Sequence, residues 1–304
     1  MYWFYLPLIA ALMWAVGNHM DKFLISRYFK DGGSPKAMVM VQVLLDVLVL
    51  PVIYFFNPDI FSLPFAHIFI LIALGCFCYL PILLYLFAIQ QDEASVVIPL
   101  FQTIPVFLYI LGYLILGEQL TGRQTLASAL IILGAFLVSI DIFERKFRTK
   151  TKVLLFMLIA SLCWAIRGVI FKNVLIQNQF WPVIFWEILG FCLGGLILLA
   201  TVPSFRQQLG QLFRDHSWRI ITINIINELM NTGAGFIVAF AYLLAPITLV
   251  AVMGSFQPMF VFLIGIIITL FIPKFGKETL LTHHLVQKFI AIGIMIFGSY
   301  LLNS

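Results

Sequence analysis

Four polar side chains interrupt one apolar run. Asn224, Asn227, Glu228 and Asn231 stand at i, i+3, i+4 and i+7 within residues 218–243. On a helix that spacing puts all four on one face, and Gly235 extends the face and allows close backbone approach. Such groups cannot look at hydrocarbon, where each would lose its hydrogen bonds to water. Two readings follow. The face is a polar strip that binds neighbouring helices together, or it lines a cavity, where amides would meet amino or hydroxyl groups and Glu228, close to the midplane, would carry a coupling proton.

Arg167 is the second signal. It lies near the middle of an apolar run, three residues after Trp164. An arginine at that depth either pairs with an acid or meets an anionic ligand. Glu228, Asp46 and Glu187 are the acids available for pairing. For a carboxylate or phosphate ligand, the planar guanidinium offers a bidentate fork. Near the start of the chain Trp14, Asn18 and Lys22 share a face, with His19 beside it. Lys22 is expected to snorkel to the surface, and His19 is a structural hydrogen bonder or a titrating group. Gln42, Asp46 and Glu187 read as structural pairing groups. Gln102 and Thr103 lie beside Pro105, and Ser255 and Gln257 beside Pro258. Proline's missing N–H leaves carbonyls free there, for cargo contact or for helix bending. Glu118 reads as an N-terminal residue of the helix that follows it, stabilised by that helix's dipole.

The elements that must position these groups are membrane spans. Hydrophobic residues make up 62% of the 304-residue chain and charged ones 10%, with a mean hydropathy of +1.08. A soluble chain would carry roughly 25% charge. Runs long enough to cross a bilayer fall at about 2–24, 36–56, 66–89, 94–116, 124–142, 153–175, 181–201, 218–243, 247–270 and 286–302. The first run has no Lys/Arg n-region and no small-residue cleavage site, so it reads as a retained span. Trp3, Trp181 and Trp218 sit near span ends as interfacial anchors. Cys76, Cys78, Cys163 and Cys192 lie in apolar runs and suggest neither a disulfide framework nor a metal site.

The chain also repeats itself. Residues 8–22 and 158–172 share seven identities at an offset of 150, among them Trp14-Ala15 and Trp164-Ala165. At an offset of 153, Phe87-Ala88, Val97, Pro105, Phe107 and Gly112 match Phe240-Ala241, Val250, Pro258, Phe260 and Gly265. A period this long is a duplicated half-protein, the mark of a secondary transporter. The halves run 1–148 and 149–304. Five spans per half is odd, so the second half enters the membrane from the opposite side and the repeats are inverted. The counterpart of the polar face in the third span is Leu71, Leu74, Gly75 and Cys78, so the repeats are alike in fold and unlike in chemistry. Fifteen Lys and Arg residues fall on one side, against Arg123 and Lys172 on the other. The basic side is expected to be cytoplasmic, which puts both termini outside.

Ala94-Ser95-Val96-Val97-Ile98-Pro99-Leu100, Pro105-Val106-Phe107, Leu116-Gly117-Glu118-Gln119-Leu120-Thr121 and Leu133-Gly134-Ala135-Phe136-Leu137-Val138 resemble the end of an EamA repeat. With the Trp-Ala repeat openings, the whole chain resembles the EamA-type drug/metabolite transporter superfamily. The second half keeps Pro258 and Gly293 but replaces the Leu-Gly-Glu stretch with the longer Ile272-Pro273-Lys274-Phe275-Gly276-Lys277-Glu278. The resemblance implies an all-α membrane fold of ten transmembrane helices, a 5+5 inverted repeat around a central cavity. It implies small metabolites as cargo and, for many members, cytoplasmic termini, the reverse of the charge count.

The resulting expectation is a multi-pass carrier of the bacterial inner membrane, not an enzyme. It would move a small polar or zwitterionic metabolite by alternating access, with protons as the candidate coupling ion. Candidate substrate-binding residues are Trp14, Asn18, His19, Gln102, Trp164, Arg167, Asn224, Asn227, Glu228, Asn231 and Gln257, with Glu228 also the proton carrier. No cofactor, metal or nucleic-acid partner is expected, and monomer and homodimer are both open. Rival readings are efflux of aromatic or cationic drugs, a membrane enzyme acting on a lipid-linked substrate, and a scaffold or sensor. The enzyme reading is weakened by scattered histidines, of which only His283 and His284 adjoin, in an expected loop.

Overall fold

The computed structural model describes residues 2–28, 35–91, 97–140, 151–215, 218–271 and 282–303. All elements among the described residues are helical, as hydrocarbon requires of a chain that must satisfy its backbone polar groups internally. In chain order they are α1 (Tyr5–Tyr28), α2 (Pro35–Phe56), α3 (Phe65–Phe77), α4 (Tyr79–Gln91), α5 (Ile104–Leu116), α6 (Gly122–Ser139), α7 (Thr151–Leu175), α8 (Phe180–Thr201), α9 (Pro203–Asp215), α10 (Trp218–Leu244), α11 (Ile247–Gly254), α12 (Gln257–Phe271) and α13 (Thr282–Asn303). Short 3-10 turns occupy Tyr2–Phe4, Pro58–Ser62 and Ile98–Thr103.

Among the described residues nine helical stretches are long and apolar enough to cross a membrane. They coincide with nine of the ten expected spans. The remaining one, α1, has 24 residues and is about 36 Å long, enough to cross. Asn18, His19, Asp21 and Lys22 in its second half lower its apolar content. Three of the nine stretches join two helical pieces. They are Phe65–Ala88 (α3 and α4), Ile98–Leu116 (a 3-10 turn and α5) and Ile247–Phe271 (α11 and α12). Pro105 and Pro258 are each the second residue after the break, where a missing N–H is tolerated. The repeat therefore reproduces a discontinuity as well as a span.

One helix was not foreseen. Between the seventh and eighth spans, α9 is amphipathic. Phe205 and Leu212 are buried and Arg206 and Arg214 exposed, and the helix packs on α2 and α8. The polar link at Glu144–Lys150, the Ile272–Glu278 stretch, Gly32–Ser34 and Asp92–Glu93 lie outside the described residues.

The chain forms two compact units, and each takes segments from both sequence halves. The first comprises Met1–Val16, Leu80–Val169 and Ile237–Ser304, the second Gly17–Tyr79 and Ile170–Phe236. The boundaries cut α1 after Val16 and α7 after Val169, 153 residues apart (169 − 16), the offset at which the second set of sequence matches recurs.

Within the first unit α6 lies against α13. A Cβ on Gly134 would clash with Met295 and sit 2.8 Å from the Ala291 carbonyl, and one on Gly298 would sit 3.0 Å from the Ala127 carbonyl. Around this seam Ile131, Ala135, Met253, Phe256 and Met295 form a buried cluster. Within the second unit the main seam is α3 on α8. A Cβ on Gly75 would run into the backbone of Glu187 and Phe191, and one on Gly190 into the Ile72 carbonyl. In lipid, where helices gain nothing from hiding apolar surface, close backbone approach through small residues drives association. Polar contacts pin the same seam. The Cys76 thiol donates to the Gly190 carbonyl at 3.1 Å, Tyr79 Oη to the Phe191 carbonyl at 2.9 Å, and Trp186 Nε1 to the Ile60 carbonyl at 2.8 Å.

Candidate functional site

The polar face of α10 lies in the second unit, and it is not alone there. Asn224, Asn227 and Glu228 are buried, and Asn231 is half-buried. Asn227 Nδ2 donates to Asp21 Oδ1 of α1 at 2.6 Å. Asn231 Nδ2 donates to Glu228 Oε2 at 3.2 Å. Thr232 Oγ1 donates to Asp46 Oδ1 of α2 at 3.1 Å. Three helices thus bring together three carboxylates, each holding one hydrogen bond from a neutral donor.

Gly17 makes the α1–α10 contact possible. A Cβ there would lie 2.7 Å from Asn227 Oδ1 and 3.4 Å from Asn231 Oδ1. Two amide oxygens therefore face the space beside an unsubstituted stretch of α1. Among the described residues Asn227 Oδ1 has no hydrogen-bond partner, and neither does either polar atom of the Asn224 amide. A buried orphan of this kind costs about 1–3 kcal/mol, which a strip serving only as packing would have no reason to carry.

Asp21 is absent from the sequence-derived candidates. It lies one turn beyond Gly17 on α1, and that spacing was its only visible signal. Asp46 was expected to pair structurally, and its partner is Thr232. On the same part of α1, Asn18 and Lys22 are exposed and His19 is half-buried.

The other candidates belong to the first unit. The Arg167 guanidinium lies over the Trp164 ring, 5.5 Å from its centroid, a cation–π contact made possible by the i, i+3 spacing on α7. Trp14 and Trp164 are half-buried. Gln102 and Thr103 line a largely apolar, open-sided cleft of about 430 Å³ between α5, α6 and the start of α11. Its wall includes Ser128, a buried residue whose hydroxyl has no hydrogen-bond partner among the described residues. Gln257 is half-buried as the first residue of α12 and does not line that cleft.

Two expectations need correction. Glu118 does not serve the helix that follows it. Thr121 caps α6 through a reciprocal box with Gln124, and Glu118 Oε2 accepts the Ile247 N–H at 2.8 Å, capping α11. Gly117, at φ 66°, ends α5 in the left-handed conformation and turns the chain so that the carboxylate reaches across. Lys172, inside the expected span 153–175, is buried in the last turn of α7, where the helix dipole favours a cation. His283 and His284 stand in the first turn of α13 with ring centroids 4.2 Å apart, not in a loop.

Comparison with known proteins adds three findings. The sequence model of the EamA-like transporter family matches residues 1–140. No curated protein matches the chain. One solved structure, described only as "Crystal structure of protein", aligns with 99% of this chain and 97% of its own at a TM-score of 0.70 and 11% identity. At that identity it shows a shared fold alone.

Proposed function

We propose that the protein is a secondary-active transporter, a reading supported by the match of residues 1–140 to the EamA-like transporter family. On this reading α1 is the tenth span, and the ten form a 5+5 inverted repeat in a bacterial inner membrane. Transport proceeds by alternating access, and the cargo is a small polar or zwitterionic metabolite. The face of Asn224, Asn227, Glu228 and Asn231 recognises polar groups of the cargo, and Glu228 carries the coupling proton. Arg167 meets an anionic group, with Trp14 and Trp164 as apolar walls. Asn18, His19, Gln102 and Gln257 are the remaining candidate contacts.

The observation that carries the reading is the set of buried carboxylates and amides on α1, α2 and α10, with amide atoms left unmatched. In a hydrocarbon environment such groups are costly and mark a pathway. The test is a thermal-shift screen of the purified protein against a metabolite panel, followed by uptake of the hits into proteoliposomes. A ligand that binds only the folded state raises its melting temperature. Saturable stabilisation and flux by the same compound are expected. Stabilisation without flux in any gradient would replace the transporter with a sensor.

A further inference from the structure

We infer that the acid–amide set of the second unit recognises the cationic end of the cargo, a primary ammonium or guanidinium group donating several N–H bonds. The inference rests on the transport reading and names the cargo's charge and donor chemistry. Asp21, Asp46 and Glu228 each accept one hydrogen bond, from Asn227, Thr232 and Asn231. All three donors are neutral. Among the described residues no lysine or arginine pairs with any of the three acids. Three carboxylates gathered on three helices without a counter-charge in the chain are neutralised by protons or by a cation that enters the site.

The geometry further selects the kind of cation. Beside the carboxylates, Asn227 Oδ1 and both polar atoms of the Asn224 amide are buried and unmatched among the described residues. The acceptors do not converge on a point. Among the described residues no group of three His, Cys, Asp or Glu side chains could hold a metal ion. From Asn227 to Thr232 the set extends about 7.5 Å along α10. Separated acceptors of this kind suit a group with several N–H donors and not a compact metal ion. A neutral hydroxyl would satisfy one acceptor and leave the charge unanswered. The set is also reachable, since Asp21 and Asn231 are half-buried and Asn18 is exposed.

The test uses the purified full-length chain at constant ionic strength. Binding is measured calorimetrically for putrescine, arginine and methylguanidine, with tetramethylammonium, sodium chloride and glutamate as comparisons. At least one of the three N–H cations should bind saturably. Tetramethylammonium, which has the charge but no N–H, should bind at least tenfold more weakly. Asp21→Asn and Glu228→Gln should each weaken the cation at least tenfold while the ligand-free melting temperature stays close to that of the parent. Equal binding of tetramethylammonium, displacement of the cation by millimolar sodium, or no binding by any of the three cations would overturn the inference. These comparisons need only the unaltered protein, so they decide the matter even where a variant does not fold. Flux in proteoliposomes separates the two claims. Transport confined to neutral or anionic compounds sinks the cation site and spares the transporter, whereas cation binding with no flux does the reverse.

Discussion

At the residue scale, Arg167 and Glu228 carry the sharpest expectations. Arg167 stands 150 residues after Gly17, at the offset where Trp14-Ala15 recurs as Trp164-Ala165, so matching positions hold a bare backbone and a charge. The guanidinium has the Trp164 face beneath it. As a recogniser of an anionic group, Arg167→Lys keeps the charge and loses the fork. Cargo affinity should fall about tenfold or more with little change in melting temperature, as titration and thermal unfolding will show. Were the residue only structural, Arg167→Ala would leave an acid unpaired, destabilise the fold by about 3–5 kcal/mol and spare affinity in the protein that survives. Glu228→Gln preserves shape and the bond from Asn231 while removing the ionisable group. The variant should fold and lose pH-dependent accumulation of cargo in vesicles. Accumulation that still follows pH between 5.5 and 8 would reduce Glu228 to a structural group.

At the element scale, the decisive features are close crossings and remote caps. Gly190 and Gly194 form a small-xxx-small pair on α8, and a methyl group on Gly190 would strike the Ile72 backbone. Gly190→Ala should therefore cost about 1–3 kcal/mol through a forced backbone shift. Reversible unfolding in mixed micelles would measure it, and a change below about 0.5 kcal/mol would show that the α3–α8 seam yields. Glu118 ties the turn after α5 to the first N–H of α11, 129 residues away. A hydrogen bond to a charged group contributes about 1.5–3 kcal/mol. Glu118→Ala should lose that amount in the same assay without altering the affinity of the cation set, which lies in the other unit. The Leu-Gly-Glu motif thus has a physical account. The glycine stops α5 in a conformation that other residues resist, and the acid caps a helix of the other repeat.

At the scale of the whole molecule, the question is which way the chain faces. The fifteen lysines and arginines assigned to one side by chain position outweigh Arg123 and Lys172 on the other. Arg206 and Arg214 stand exposed on α9, beside spans α2 and α8, as basic residues at a cytoplasmic surface would. A periplasm-active reporter fused after Asn303 should be active, and one that works only in the cytoplasm should not. The opposite result would give this chain the cytoplasmic termini that its family resemblance implies.

The sequence by itself determined what depends on neighbours along the chain. Nine spans were legible because a bilayer demands about 20 apolar residues in a row. The α10 face was legible because helical spacing alone aligns Asn224, Asn227, Glu228 and Asn231. Tertiary structure decided what depends on which faces meet. Asp21 and Asp46 joined Glu228 only when α1 and α2 packed against α10, and no local pattern ranks Asp21 above any other acid near a span end. Glu118 found its helix only across 129 residues. α9 carried too few apolar residues to register as a span, and its role came from burying Phe205 and Leu212. The compact units cut across the sequence halves, since contacts follow space and not chain order. Periodicity reports the environment a residue must avoid. Its partner is set by close packing between helices, and that information resides in the fold.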